Sequence, residues 1–115
     1  MIIKKYFYIH IFLLIITTSC NKDNETLIIS DFTEIKEINL KPNKYKLYSM
    51  KNIWVKGYVN DTILIRLNNE DKPIMKLSGK IDKRWYTDYY GEGEETLIFD
   101  PYKATEGELE IIFEL

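Results

Sequence analysis

The last eight residues, 108–115, keep a period of two. Leu109, Ile111, Phe113 and Leu115 fall on one side, and Glu108, Glu110 and Glu114 on the other. Successive side chains of an extended strand point to opposite faces, so the pattern fits a strand with one buried and one wet face. The same rhythm recurs upstream. Ile53, Val55, Gly57 and Val59 share one face, with Trp54, Lys56 and Tyr58 opposite. Ile63, Ile65 and Leu67 share another, and Met75, Leu77 and Ile81 alternate with Lys76, Ser78 and Lys80. Leu97 and Phe99 mark a further strand, closed by Asp100-Pro101. No stretch carries the three-and-four spacing of a long amphipathic helix.

Turn residues separate these runs. Asn60-Asp61 reads as a two-residue hairpin turn, because both residues tolerate positive φ. Residues 69–73 read as a second turn, and Gly79 interrupts an inner face as a bulge or a close backbone approach. Residues 27–30 and 35–40 are weaker. Ile35 and Ile38 stand three apart, which admits a short helix or a bulged strand there. Roughly seven to nine short strands, with turns every eight to twelve residues, predict an all-β domain, an antiparallel sandwich or barrel. The expected fold is a small antiparallel β-sandwich, Ig-like or jelly-roll-like, preceded by a lipoprotein signal peptide. The face carrying Trp54 and Tyr58 is expected to lie under a second sheet, with exposed rings as the alternative.

The chain begins differently. Two lysines precede residues 6–16, which are apolar apart from His10, and Thr17-Thr18-Ser19 follows. A basic start, an apolar run and small residues form the pattern of a secretion signal. The run has eleven residues, whereas a spanning helix needs roughly twenty, so a permanent transmembrane helix is not expected. Cys20 is the single cysteine of the 115-residue chain, so no intramolecular disulfide can form.

Ser19 directly before Cys20, with the apolar run close upstream, resembles a lipobox. Thr17 departs from the usual pattern, which prefers Leu there. Leaders of Bacteroidota lipoproteins are looser at that position, and this Ile-, Lys-, Tyr- and Asn-rich chain is similar to their proteins. The resemblance implies cleavage after Ser19 and a covalent lipid on Cys20, with two or more acyl chains holding durably where one holds weakly. It divides the chain into a signal peptide over 1–19, the lipidated cysteine and a polar tether over 20–26, and one domain over 27–115. It also implies an outer-membrane address, in the periplasmic leaflet or at the cell surface. Lys22, Asp23 and Glu25 partly resemble a short acidic surface-export signal that Asn24 interrupts. Residues 54–115 resemble small β-sandwich lipoproteins of unknown function from the same group. That likeness rests on strand pattern and implies no catalytic residues.

The remaining residues limit the chemistry. On that resemblance His10, the single histidine, is expected to leave with the leader and Cys20 to be acylated. A Ser-His-Asp or Cys-His triad and a His-ligated zinc site are thereby excluded from the mature protein. Paired carboxylates stay formally open, but an enzyme is not expected, nor any cofactor beyond the lipid. Without Lys4 and Lys5, fourteen basic residues face eighteen acids, a net charge of −4. No basic stripe is present, which argues against nucleic acid.

The densest polar stretch is 82–95. Trp85, Tyr86, Tyr89 and Tyr90 are candidate ligand-binding rings for a glycan or a protein, with core packing of alternate rings as the plain reading. Asp88, Glu92, Glu94 and Asp100 are weak calcium candidates flanking Gly91 and Gly93. Their spacing matches no EF-hand, a solvated loop is the plain reading, and no metal is expected. Asp61-Thr62-Ile63 resembles the O-glycosylation motif of secreted Bacteroidota proteins, with Thr62 as acceptor at the expected hairpin tip. Two functions fit these features. One is a non-catalytic, lipid-anchored envelope module binding a glycan or a protein. The alternative is an immunity or inhibitor lipoprotein that neutralises a toxin or hydrolase at the envelope. The oligomeric state is not legible.

Overall fold

The computed structural model describes residues 22–68, 70–91 and 93–115. Residues 1–21, on which the expected signal peptide with Ser19 and Cys20 falls, and Glu92 lie outside the described residues. The rest forms six strands in one antiparallel sheet: β1 (Asn24–Ile29), β2 (Lys36–Leu40), β3 (Met50–Leu67), β4 (Met75–Asp88), β5 (Glu95–Asp100) and β6 (Gly107–Glu114). Their order is β1-β6-β3-β5-β2, with β4 also alongside β3. This is the small antiparallel all-β domain that the alternation calls for. The strands number six because β3 and β4 are long, at 18 and 14 residues. Residues 36–40 form a regular strand paired with β5. β1 opens at Asn24, inside the stretch read from the sequence as tether.

The expected hairpin at Asn60-Asp61 does not form; β3 runs through it. The pairing with β4 passes from Val59↔Gly79 to Ile63↔Leu77, so β3 carries two extra residues there. Such a bulge bends a strand. Asn60 is engaged elsewhere. Its Oδ1 accepts from the Thr105 and Glu106 N–H groups at 2.9 and 3.2 Å, and its Nδ2 donates to Thr105 Oγ1 at 2.8 Å. The residue that favours a turn thus ties the bend to the β5–β6 connection. Thr62 lies in this bend rather than at a hairpin tip. It is half-buried, and its carbonyl accepts from the Lys103 N–H at 3.1 Å.

The bend closes the barrel. Before it, β3 pairs with β6 over Asn52–Val59; after it, β3 pairs with β5 over Leu64–Leu67. At the far side Lys22 and Lys41 exchange hydrogen bonds in an antiparallel bridge that joins β1 to the end of β2. β3 thus serves both flanks of the ring, its first half against β6 and its second against β5.

The core lies inside this ring. Ile53, Val55, Leu109, Ile111 and Phe113 come from one side, and Ile38, Leu40, Ile65, Leu97 and Phe99 from the other, in one cluster. Phe32 meets Phe99 edge-on at 5.8 Å between ring centroids. Two glycines let β3 and β6 approach. Gly57 (φ 137°) lies opposite Leu109, and Gly107 (φ 151°) opposite Val59. A Cβ at Gly57 would fall on the Glu108 carbonyl oxygen, and one at Gly107 would lie 2.8 Å from Val59 Cα.

Candidate interaction face

Alternation along β3 sends Trp54, Lys56 and Tyr58 away from the core. Register brings Arg84, Asp82 and Lys80 of β4 beside them, and Ile112, Glu110 and Glu108 of β6 on the other flank. Among the described residues no second sheet covers this face; Tyr58 is 51% exposed. The expectation of a buried face is corrected for a simple reason. The sheet closes on its apolar side, so its other side is the outside of the barrel.

Trp54 is the fixed point. Its Nε1 donates to Asp82 Oδ1 at 2.6 Å. Arg84 Cζ lies 3.7 Å and Lys56 Nζ 3.9 Å from the ring centroid. Cations over an indole face are attracted by the ring quadrupole. Lys56 also pairs with Glu110 at 3.2 Å. A hollow of about 180 Å³ opens beside the ring, between Asn52, Arg84, Tyr86 and Glu114. A shallow second one, about 390 Å³, runs over Gly57 between Ile28, Glu108 and Glu110. Ile28 is exposed, as is Tyr86. Guanidinium, carboxylate, indole and phenol groups thus stand together on a rigid strand pair. They can bind and orient a partner; no nucleophile–base pair is among them.

The four candidate rings from the sequence do not form one face. Trp85 is half-buried and packs against the core. Tyr86 points outward beside Arg84. Tyr89 is only 1% exposed, so its assignment as a ligand-binding ring is corrected. Its hydroxyl donates to the Gly93 carbonyl at 2.6 Å, and its ring meets Tyr48 edge-on. Tyr90 is exposed at the end of the barrel where β1 begins, with the 42–48 loop around it. The alternation of Trp85 and Tyr89 inward against Arg84, Tyr86 and Tyr90 outward follows from the sequence pattern.

The calcium candidates are also separated. Asp100 pairs with Arg66 at 2.9 Å at the far end of β5 from Glu94. Glu94 lies 3.9 Å from Lys41. Among the described residues no group of three or more potential ligands converges on a metal position. Glu95 instead forms the buried polar centre. Its Oε1 accepts from Lys51 Nζ at 3.0 Å and its Oε2 from Asn68 Nδ2 at 2.7 Å. Asn68 sits at φ 55°, and its Oδ1 accepts from the Thr96 N–H at 3.0 Å. This network holds the start of β5 to both ends of β3.

One end of the barrel is tied to the entering chain. Asp23 Oδ2 accepts from Lys46 Nζ at 2.8 Å and from the Tyr48 hydroxyl at 3.2 Å. The Lys46 hydrogen bond, and then its charge, hold the Asp23 carboxyl below its ordinary 3.8 against an opposing effect of burial. Lys46 is raised in turn by Asp23. The Thr33 hydroxyl and N–H lower Asp31 in the same way, just beyond β1.

The Trp54 face was missed from sequence because its register depends on where the hairpin turns. A two-residue turn at Asn60-Asp61 would put Trp54 opposite Leu67. The true turn, after Leu67, puts it opposite Arg84.

No family model and no curated protein matches the chain. Among solved structures, one titled "Crystal structure of PirA" is similar at 6% identity, with a TM-score of 0.42, covering 84% of this chain and 96% of that one.

Proposed function

We propose that this protein is a non-catalytic module of the cell envelope, anchored by lipid on Cys20, that binds another protein through the outward face of β3 and β4. The leader and Ser19-Cys20 support the address. The Trp54 face supports the ligand class, and it carries the reading. Trp, Tyr and Arg are the residues that dominate protein–protein hot spots. Arg84 and Lys56 already occupy the Trp54 ring at stacking distance. A sugar would have to displace one of them, whereas a protein carboxylate or carbonyl can bind their outward N–H groups as they stand. β4 adds an edge, since it pairs with β3 alone. Its Lys76, Lys80, Lys83 and Arg84 guard that edge against indiscriminate strand pairing. No metal, cofactor or nucleic acid enters this function. An immunity or inhibitor role is the special case in which the partner is a toxin or hydrolase.

A photo-crosslinking residue placed at Tyr86 in intact cells tests the proposal, with Glu106 as the control position. A discrete protein adduct at 86 that Arg84→Glu abolishes, and that is absent at 106, is expected. Equal labelling at both sites, or adducts indifferent to Arg84→Glu, would refute the face. Retention of purified protein on a glycan surface in an Arg84-independent manner would refute the ligand class.

A further inference from the structure

The loop between β2 and β3 carries the two most exposed large apolar side chains among the described residues, Leu47 at 103% and Tyr45 at 86%. A single exposed leucine is ordinary. Here the position is informative. Lys41 exchanges two backbone hydrogen bonds with Lys22, at 2.6 and 3.2 Å. Lys46 and the Tyr48 hydroxyl both reach Asp23. The loop is therefore tied at three points to the residues where the chain enters the fold. Cys20 is two positions before Lys22, a reach of about 7 Å when extended. With lipid on Cys20, any segment fastened to Lys22 and Asp23 lies at the bilayer surface.

The loop is also internally ordered. Asn43 Oδ1 accepts from the Tyr45 N–H at 2.9 Å, and its carbonyl accepts from the Lys46 N–H at 3.0 Å. The Asn43 N–H donates to the Tyr48 hydroxyl at 2.6 Å. These bonds hold the tip in a turn that sends Tyr45 and Leu47 outward instead of letting them collapse on the barrel. Tyrosine favours the headgroup level, leucine the acyl boundary, and lysine stems lie along apolar surface with the ammonium in water. Lys44 Nζ stands 5.3 Å over the Tyr45 ring in that arrangement. Charge adds little, since Asp23, Glu25 and Glu94 already face Lys46, Lys22 and Lys41.

We infer that the 43–48 loop docks on the phospholipid surface, with Leu47 and Tyr45 entering it, as a second, non-covalent contact beside the lipid on Cys20. The inference rests on the lipid anchor proposed above. Its consequence is orientation. A domain held by lipid alone swings on its tether, whereas two contacts fix which faces of the barrel look away from the membrane.

Acylation consumes the Cys20 sulfur, so Leu47→Cys and Glu106→Cys each present one free thiol for a nitroxide label. The lipidated proteins are reconstituted into phosphatidylethanolamine–phosphatidylglycerol vesicles, and label accessibility to oxygen and to a water-soluble nickel chelate is measured. A several-fold higher oxygen-to-nickel ratio at 47 than at 106 is expected. Equal ratios in a chain whose mass shows the acyl groups would overturn the docking and leave the anchor standing. A mass without acyl groups on Cys20 would overturn both. Leu47 lies wholly outside the core, so its replacement leaves folding intact, which circular dichroism checks.

Discussion

Replacing Gly57 by alanine should break the seam between β3 and β6. Two costs combine. At φ 137° an L-residue is strained by about 1–3 kcal/mol. The new Cβ also falls on the Glu108 carbonyl oxygen, with Leu109 Cα 3.1 Å away. Both neighbours are backbone, so the strands must separate. The bonds loosened around the Gly57↔Leu109 pair are worth roughly 1 kcal/mol each. Together the loss is about 3–5 kcal/mol, against a total near 5–14 kcal/mol for a domain of this size. Gly79 is the control. It too has positive φ, 70°, but a Cβ there meets nothing within 4 Å, so Gly79→Ala should cost only about 1–2 kcal/mol. Equilibrium urea unfolding followed by tryptophan fluorescence measures both. With a slope of about 1–2 kcal/mol/M, the Gly57→Ala midpoint should fall by about 1.5–5 M and that of Gly79→Ala by about 0.5–2 M, the smaller shift at any one slope. If Gly57→Ala stays within about 1 kcal/mol of the parent, or Gly79→Ala costs as much, close strand approach is not what these glycines serve.

Lys51→Met should cost about 2–4 kcal/mol in the same assay, because it strands the Glu95 carboxylate with Asn68 as its remaining partner; a Lys51→Met/Glu95→Met double variant should recover part of that loss, and strict additivity would refute the pairing. Asp23 supplies a pH test. Its folded pKa is depressed below 3.8, so its contribution is present above that value and disappears as pH falls through the folded pKa; acid unfolding of Asp23→Asn between about pH 5 and pH 2 should be flatter than that of the parent, and identical profiles would contradict it. Arg84→Ala in a Trp85→Phe background should raise acrylamide quenching of Trp54 while lowering stability by no more than about 1 kcal/mol; unchanged quenching would mean that Arg84 does not shield the ring.

Period two along β3, β4, β5 and β6 was legible because each strand buries one face and wets the other. Trp85 and Tyr89 inward, with Tyr86 and Tyr90 outward, could be read for the same reason. The Asn60 turn could not, because its side chain serves the β5–β6 connection 45 residues away. Local propensity has no access to that competitor. Tyr89 misled as a ligand ring because an aromatic beside glycines and acids looks exposed, yet Tyr48 and Gly93 enclose it.

The alternation of side chains is a local property, so the chain alone determines that it makes strands, which side of each is apolar, and that its one histidine and one cysteine fall within the first twenty residues. Register is a long-range property. It follows from where β3 stops running and from which backbones can approach closely enough to pair, and both depend on contacts across the barrel. Only the tertiary structure therefore decides that Trp54 meets Arg84, that Glu95 is buried with Lys51, and that Tyr45 and Leu47 stand beside the point where the chain enters the fold.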